Sequence, residues 1–282
     1  PSVRERVAMA RSILRPDRRC TREPPPPGPR PPGPRPPYTP YGPVVDIQQA
    51  HNERYTDRAY SAGADQEPRI RLVRTLIGGG RGRRILDVGC ADGEVLRPFV
   101  GSDEIHGLDF TETFVEQACA VGVRARRCDV ANEPFPYADG TFDVVFTGET
   151  IEHLVDTDRF LTEINRVLRP GGRLVLTAPN VRTPVSVAML IGFGLPPQFS
   201  ARYRSPHYRD FTLRTLRLAL ANNGFDVEQA YGASFFVPGR GECLTRLARW
   251  IPSWASQLVV VATRTRTASY DASATVATAL YR

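Results

Sequence analysis

The stretch Arg84-Ile-Leu-Asp-Val-Gly-Cys-Ala-Asp-Gly93 limits what this chain can fold into more than any other. A brief apolar run, Ile85 to Val88, is cut off by turn residues, the pattern of a strand buried on both faces of a parallel sheet. Gly89 and Gly93 permit a sharp turn and let the backbone approach a ligand with no Cβ in the way. Runs of the same kind follow at Glu104–Leu108, closed by Asp109, and at Val123–Cys128, followed by Asp129 and Val130. Two more span Phe142–Thr147 and Arg173–Ala178. Helical patterns alternate with them, so the expected fold is α/β, a doubly wound and mostly parallel sheet.

The helices are read from spacing. Ile70, Val73 and Ile77, with Leu72 and Leu76 beside them, form one apolar face that stops at Gly78-Gly79-Gly80. A short helix is expected after Gly93. The next one places Val115, Ala118 and Cys119 on one side and ends at Gly122. Asp156 and Asp158 open another, with acids near its positive end. Its buried face is Phe160, Leu161, Ile164, Val167 and Leu168, and Arg169-Pro-Gly-Gly172 ends it. Thr212–Asn223 is a further helix, with Leu213, Leu216 and Leu220 inward. Phe225–Ala230 and Gln257–Thr263 are the last strands.

The glycine spacing narrows the ligand. A dinucleotide fingerprint requires G-x-G-x-x-G; counted from Gly89, those positions hold Gly89, Ala91 and Glu94, so the third glycine is missing. The series Asp87, Gly89, Ala91, Gly93 instead fits acid-x-Gly-x-Gly-x-Gly, with Ala91 at the middle glycine. Here the chain resembles the class I S-adenosylmethionine (SAM)-dependent methyltransferases, and F-D-V-V through L-R-P-G-G-R-L-V-L resembles the second half of their core. The matches cover about 84–180, and more loosely 211–264.

The resemblance implies a Rossmann-like sheet of about seven strands with an antiparallel final hairpin. It implies SAM as cofactor, held by Asp87, Gly89, Cys90, Ala91, Gly93, Asp109, Phe110, Asp129, Val130 and Gly148. Asp109 would hold the ribose hydroxyls, as an acid ending the second strand of a Rossmann-like site does; its other reading is an acid ahead of a helix start. Asp129 would bond the adenine amino group with Val130 against the ring; its other reading is a turn residue. A helix before the first strand closes over the cofactor in that family, which puts Tyr55 and Arg58 at the pocket or on plain surface.

Glu149, Glu152 and His153 stand at i, i+3 and i+4, on one face if a helical turn follows the fourth strand. With His207 further on, E-x-x-E-H resembles the metal-assisted O-methyltransferases of the ubiquinone pathway and the small-RNA 2′-O-methyltransferases. That implies a divalent ion on Glu149, Glu152, His153 and His207, with Mg, Mn and Zn all open. The same residues also read as a metal-free base at His153 or His207 with Glu149, or as helix-start acids beside a packing histidine. No Ser-His-Asp or Cys-His signature is present, and methyl transfer by displacement needs none.

Composition sets the rest. Net charge is +7, but residues 1–44 hold nine Arg against three acids, leaving the remainder near neutral, which argues against a nucleic-acid footprint. Five scattered cysteines with no C-x-x-C argue against a disulfide framework, and the expected compartment is a reducing cytoplasm. No apolar run approaches the roughly 18 residues of a membrane span. Twelve of the twenty residues from 24 to 43 are proline, so 1–44 is expected as a disordered tail. A methyltransferase domain is expected over 45–264, with aromatic insertions at 181–210 and 231–256, then a loose tail over 265–282. The expected activity is methyl transfer to a small-molecule or sugar acceptor, at oxygen, by a monomer or homodimer. An RNA 2′-O-methyltransferase, a nicotinamide-dependent reductase and an inactive methyltransferase-like binding module are the alternatives.

Overall fold

The computed structural model describes residues 64–195, 207–237 and 239–270. The tail over 1–44, Tyr55, Arg58 and the aromatics Phe199 and Tyr203 lie outside the described residues.

Seven strands form the main sheet: β1 (Arg84–Val88), β2 (Glu104–Asp109), β3 (Arg124–Arg127), β4 (Phe142–Gly148), β5 (Leu168–Pro179), β6 (Phe225–Gly232) and β9 (Gln257–Arg264). Between the last two, β7 (Phe235–Val237) and β8 (Gly241–Cys243) make a separate antiparallel pair. The helices are α1 (Pro68–Ile77), α2 (Glu112–Ala120), α3 (Thr157–Val167), α4 (Pro184–Phe193), α5 (Leu213–Asn222) and α6 (Thr245–Trp250). The sheet order is β3-β2-β1-β4-β5-β9-β6. Strands β1 to β5 are mutually parallel, and β9 runs antiparallel between β5 and β6. The expected antiparallel final pair is present, yet it is no tight hairpin, because β7, β8 and α6 fill the connection.

The central strands are buried on both faces because apolar side chains alternate to each side of a sheet covered twice. Leu86, Val88, Val145, Leu174 and Val260 enter one core with Phe160, Leu161 and Ile164 of α3. Ile85, Val144, Val175 and Val261 enter the other with Leu72, Val73 and Ile77 of α1. Two local expectations differ. No α-helix follows Gly93: residues there turn, and only Arg97–Phe99 forms a 3-10 turn. Pro98 lacks an N–H and disfavours helical backbone at Arg97 before it. In α2 the buried residues are Phe114, Val115 and Ala118, with Cys119 half-buried.

Of the segment 265–282, expected to be a loose tail, residues 271–282 lie outside the described residues, and 265–268 are hydrogen-bonded to the body of the domain. Thr265 and Arg266 donate backbone N–H groups to Gly224 O at 3.0 and 3.3 Å, and Ala268 N–H donates to Oδ1 of the buried Asn165 at 3.1 Å.

Candidate active site

Parallel strands present their carboxyl ends on one rim, and ligands of open α/β sheets bind there. Asp87, Asp109, Gly148 and Thr177 all lie at or beside such ends. The turn after β1 is drawn onto β2: the N–H groups of Gly89 and Cys90 both donate to Leu108 O, at 2.8 and 3.0 Å. Gly89 is required twice over. Its φ is +79°, and a Cβ there would lie 2.4 Å from Thr150 Oγ1. Ala91, in the place of the middle glycine, also takes a left-handed φ of +45°, which costs a non-glycine residue about 1–2 kcal/mol.

Asp109 fixes that turn. Its Oδ2 accepts from Ala91 N–H and its Oδ1 from Thr111 N–H, both at 2.9 Å. Burial pushes its carboxyl up, against these backbone donors. Asp87 is 2% exposed, and neither of its carboxyl oxygens has a hydrogen-bond partner. Burial first, then the neighbouring Asp109 and Asp92 carboxylates, pushes its carboxyl well above the usual range. A buried acid with two idle acceptors is costly unless a donor or cation completes it. The pair therefore fits a ligand bearing an ammonium group. Asp129 closes its own turn: Oδ1 accepts from Ala131 N–H at 3.0 Å and Oδ2 from Asn132 Nδ2 at 2.8 Å.

Beyond β4 the backbone departs from the expected single helical face. Glu149 has a left-handed φ of +52°, and the following 3-10 turn covers Ile151–His153. Glu149 Oε1 accepts from Thr177 Oγ1 at 2.9 Å. Arg69, in the first turn of α1, reaches the same hydroxyl through Nη1 at 3.3 Å. Its guanidinium lies over Gly148, where an added Cβ would sit 3.2 Å from Nη1. Arg69 has no flag in the sequence beyond Pro68 opening its helix; the packing of α1 on β5 and β9 brings it to the rim.

Glu152 is 1% exposed, and its Oε2 has no hydrogen-bond partner. Burial and then Glu149 push its carboxyl well up. Its backbone oxygen accepts from Tyr208 N–H at 2.8 Å and Arg209 N–H at 3.2 Å, which brings the neighbouring His207 in. The His153 and His207 rings meet edge to face, centroids 4.9 Å apart. Among the described residues, Glu152, His153 and His207 form a group whose ligand atoms lie within 4.8 Å of one another. Glu149 is not part of it, because its left-handed backbone and its bond to Thr177 hold it toward β5. One buried carboxylate with an idle oxygen and two imidazoles fit a divalent ion.

Residues 86–176 match a family model described as a methyltransferase domain. The chain is 37% identical over 106 residues to 27-O-demethylrifamycin SV methyltransferase of Amycolatopsis mediterranei, covering 34% of this chain and 38% of that one. It is 34% identical over 116 residues to ubiquinone biosynthesis O-methyltransferase of Sinorhizobium medicae, covering 39% and 46%. Both matches thus span less than half of the relative's length. In fold, it is similar to a Haloferax volcanii methyltransferase solved with the Trm112 methyltransferase activator, with a TM-score of 0.57 and 18% identity over 76% of this chain and 97% of that chain.

Proposed function

We propose that this chain, whose residues 86–176 match a methyltransferase domain, transfers the methyl group of SAM to a hydroxyl oxygen of a small molecule. The observation that carries this reading is Asp87, a buried acid whose two oxygens lack partners at the rim where an ammonium-bearing ligand would lie. Bound SAM supplies a methyl group already activated by its sulfonium, so the protein's task is alignment and exclusion of water.

Each rim residue has a part in that task. Asp87 neutralises the ammonium, and Asp109 accepts from the ribose hydroxyls with the oxygen lone pairs left by Ala91 and Thr111. Arg69, which Glu67 also pairs at 2.7 Å, pairs with the carboxylate of the methionine moiety, since its Nη1 lies at Gly148 and 3.3 Å from Thr177 Oγ1. Gly89, Cys90, Ala91, Gly93 and Phe110 shape the turn around it, Asp129 and Val130 lie at the adenine end, and Gly148 keeps β4 low beneath it. If no ion is bound, His153 or His207 takes the proton from the acceptor hydroxyl; in the alternative both imidazoles are ligands. Glu152, His153 and His207 would hold a divalent ion, which would lower that hydroxyl's pKa. Oxygen as the target is supported by the names of the rifamycin and ubiquinone relatives, which are O-methyltransferases. The near-neutral charge outside 1–44 weighs against RNA as the acceptor.

Calorimetric titration of the full chain with SAM, S-adenosylhomocysteine and NADH tests the reading. SAM and S-adenosylhomocysteine should bind and NADH should not. Arg69→Met should weaken SAM about tenfold or more, the loss of one charged hydrogen bond. Binding of NADH alone would sink the proposal.

A further inference from the structure

We propose that α4 and α6 form a face that docks on the surface of an anionic phospholipid bilayer. Helix α4 is a ten-residue helix with no charged residue, and none of its residues is buried. Ile191 is 82% exposed and Phe193 74%. A helix packed on a soluble core turns polar residues outward; α4 turns apolar ones. Helix α6 buries Ala248 but leaves Leu247 exposed and, at 86%, Trp250 more so, with Arg246 and Arg249 directly before them in sequence.

The two segments are fastened at their bases. Asn180 Nδ2 donates to Ser253 O at 3.2 Å and Ala255 O at 2.7 Å, and the Arg182 guanidinium lies 4.6 Å above the Trp254 ring. Charge then selects the occupant. Arg182, Arg246 and Arg249 are exposed on these segments, and residues 180–195 and 243–256 contain no acid. Exposed apolar side chains with arginines on the same segments suit the boundary between acyl chains and anionic headgroups, and an exposed Trp is a common anchor there. A second copy of the chain, set patch on patch about a two-fold axis, would bring together two surfaces that carry arginines and no acid from 180–195 or 243–256. At ten residues α4 is too short to cross a bilayer, so its contact would be with the surface.

The test is co-sedimentation of the full chain with vesicles of phosphatidylglycerol and phosphatidylcholine, and of phosphatidylcholine alone. Binding should favour the anionic vesicles, fall with salt, and shift Trp fluorescence to the blue. Phe193→Ser with Trp250→Ser should lower partitioning about tenfold or more, and Arg246→Gln with Arg249→Gln about 25-fold, roughly fivefold for each charge. All four positions are exposed, so thermal unfolding should be unchanged. Three results would overturn the proposal: no binding to either vesicle, binding equal in all variants (which assigns it to the arginines of residues 1–44), or a dimer lost in the apolar variant without vesicle binding.

Discussion

The backbone N–H of Ala91 donates to Asp109 Oδ2 at 2.9 Å, so the acid that ends β2 also holds the turn that follows β1. Asp109 is thus a structural residue and a candidate ligand residue at once. Asp109→Ala leaves the Ala91 and Thr111 donors without their acceptor and is expected to cost about 1–3 kcal/mol of stability. Asp109→Asn keeps one acceptor and the shape, so it should unfold nearer to wild type while SAM binding falls about tenfold or more. Urea unfolding and calorimetric titration of the two variants separate the roles.

Ala91 carries backbone strain that glycine would not. Its φ of +45° lies where a Cβ is disfavoured. Ala91→Gly should raise stability by about 1 kcal/mol, strain relief exceeding the extra entropy of the unfolded chain. Equilibrium unfolding measures this, and a loss of stability would mean that the methyl group makes a packing contact worth more than the strain.

Asp87 makes stability depend on pH. Burial, with Asp109 and Asp92 nearby, holds its folded-state pKa well above the unfolded value of about 3.9. The folded chain keeps a proton that the unfolded chain has released. The stability associated with the neutral acid is complete below the unfolded value and is lost as pH rises through the folded one. Asp87→Asn does not titrate, so its advantage over the ligand-free wild type should grow from acid toward neutral pH. SAM binding should show the opposite preference: the wild type binds more tightly as pH rises and releases a proton, while Asp87→Asn binds weakly at every pH. Unfolding across a pH series and calorimetry in two buffers follow both effects.

Metal occupancy of Glu152, His153 and His207 can be read without turnover. Mn or Zn ions at about a hundred times their dissociation constant should stabilise the wild type by roughly 2.7 kcal/mol and leave His207→Ala unmoved. A melting temperature indifferent to both ions in the wild type would remove the metal from the mechanism.

Strand ends were the most legible part of the sequence, because a buried parallel strand is a short apolar run and its end is marked by the acid or glycine that stops it. Phe160, Leu161, Ile164 and Val167 announced α3 by spacing alone. Three features escaped that logic. Arg69 is an ordinary helix arginine until tertiary packing sets it beside Thr177. Glu149 was expected on a helical face with Glu152, but its left-handed backbone turns it to β5, and φ is not written in the spacing of side chains. Pro98 did carry the signal against a helix after Gly93, and the glycine turn outweighed it. The aromatic and apolar character of 181–195 was plain, whereas its exposure depends on what the rest of the chain leaves uncovered.

The position of β9 bears on how the molecule is completed. Among the described residues its sheet neighbours are β5 and β6, and β6 pairs with β9 alone. Residues 225–232 therefore cannot join the main sheet until residues 257–264 have emerged, although they are made earlier. During synthesis the edge of β5 stays open, and the sheet is zipped shut by a late stretch of chain. Any truncation before 257 should thus strand β6 as well as delete β9, leaving an exposed edge prone to pairing with other chains.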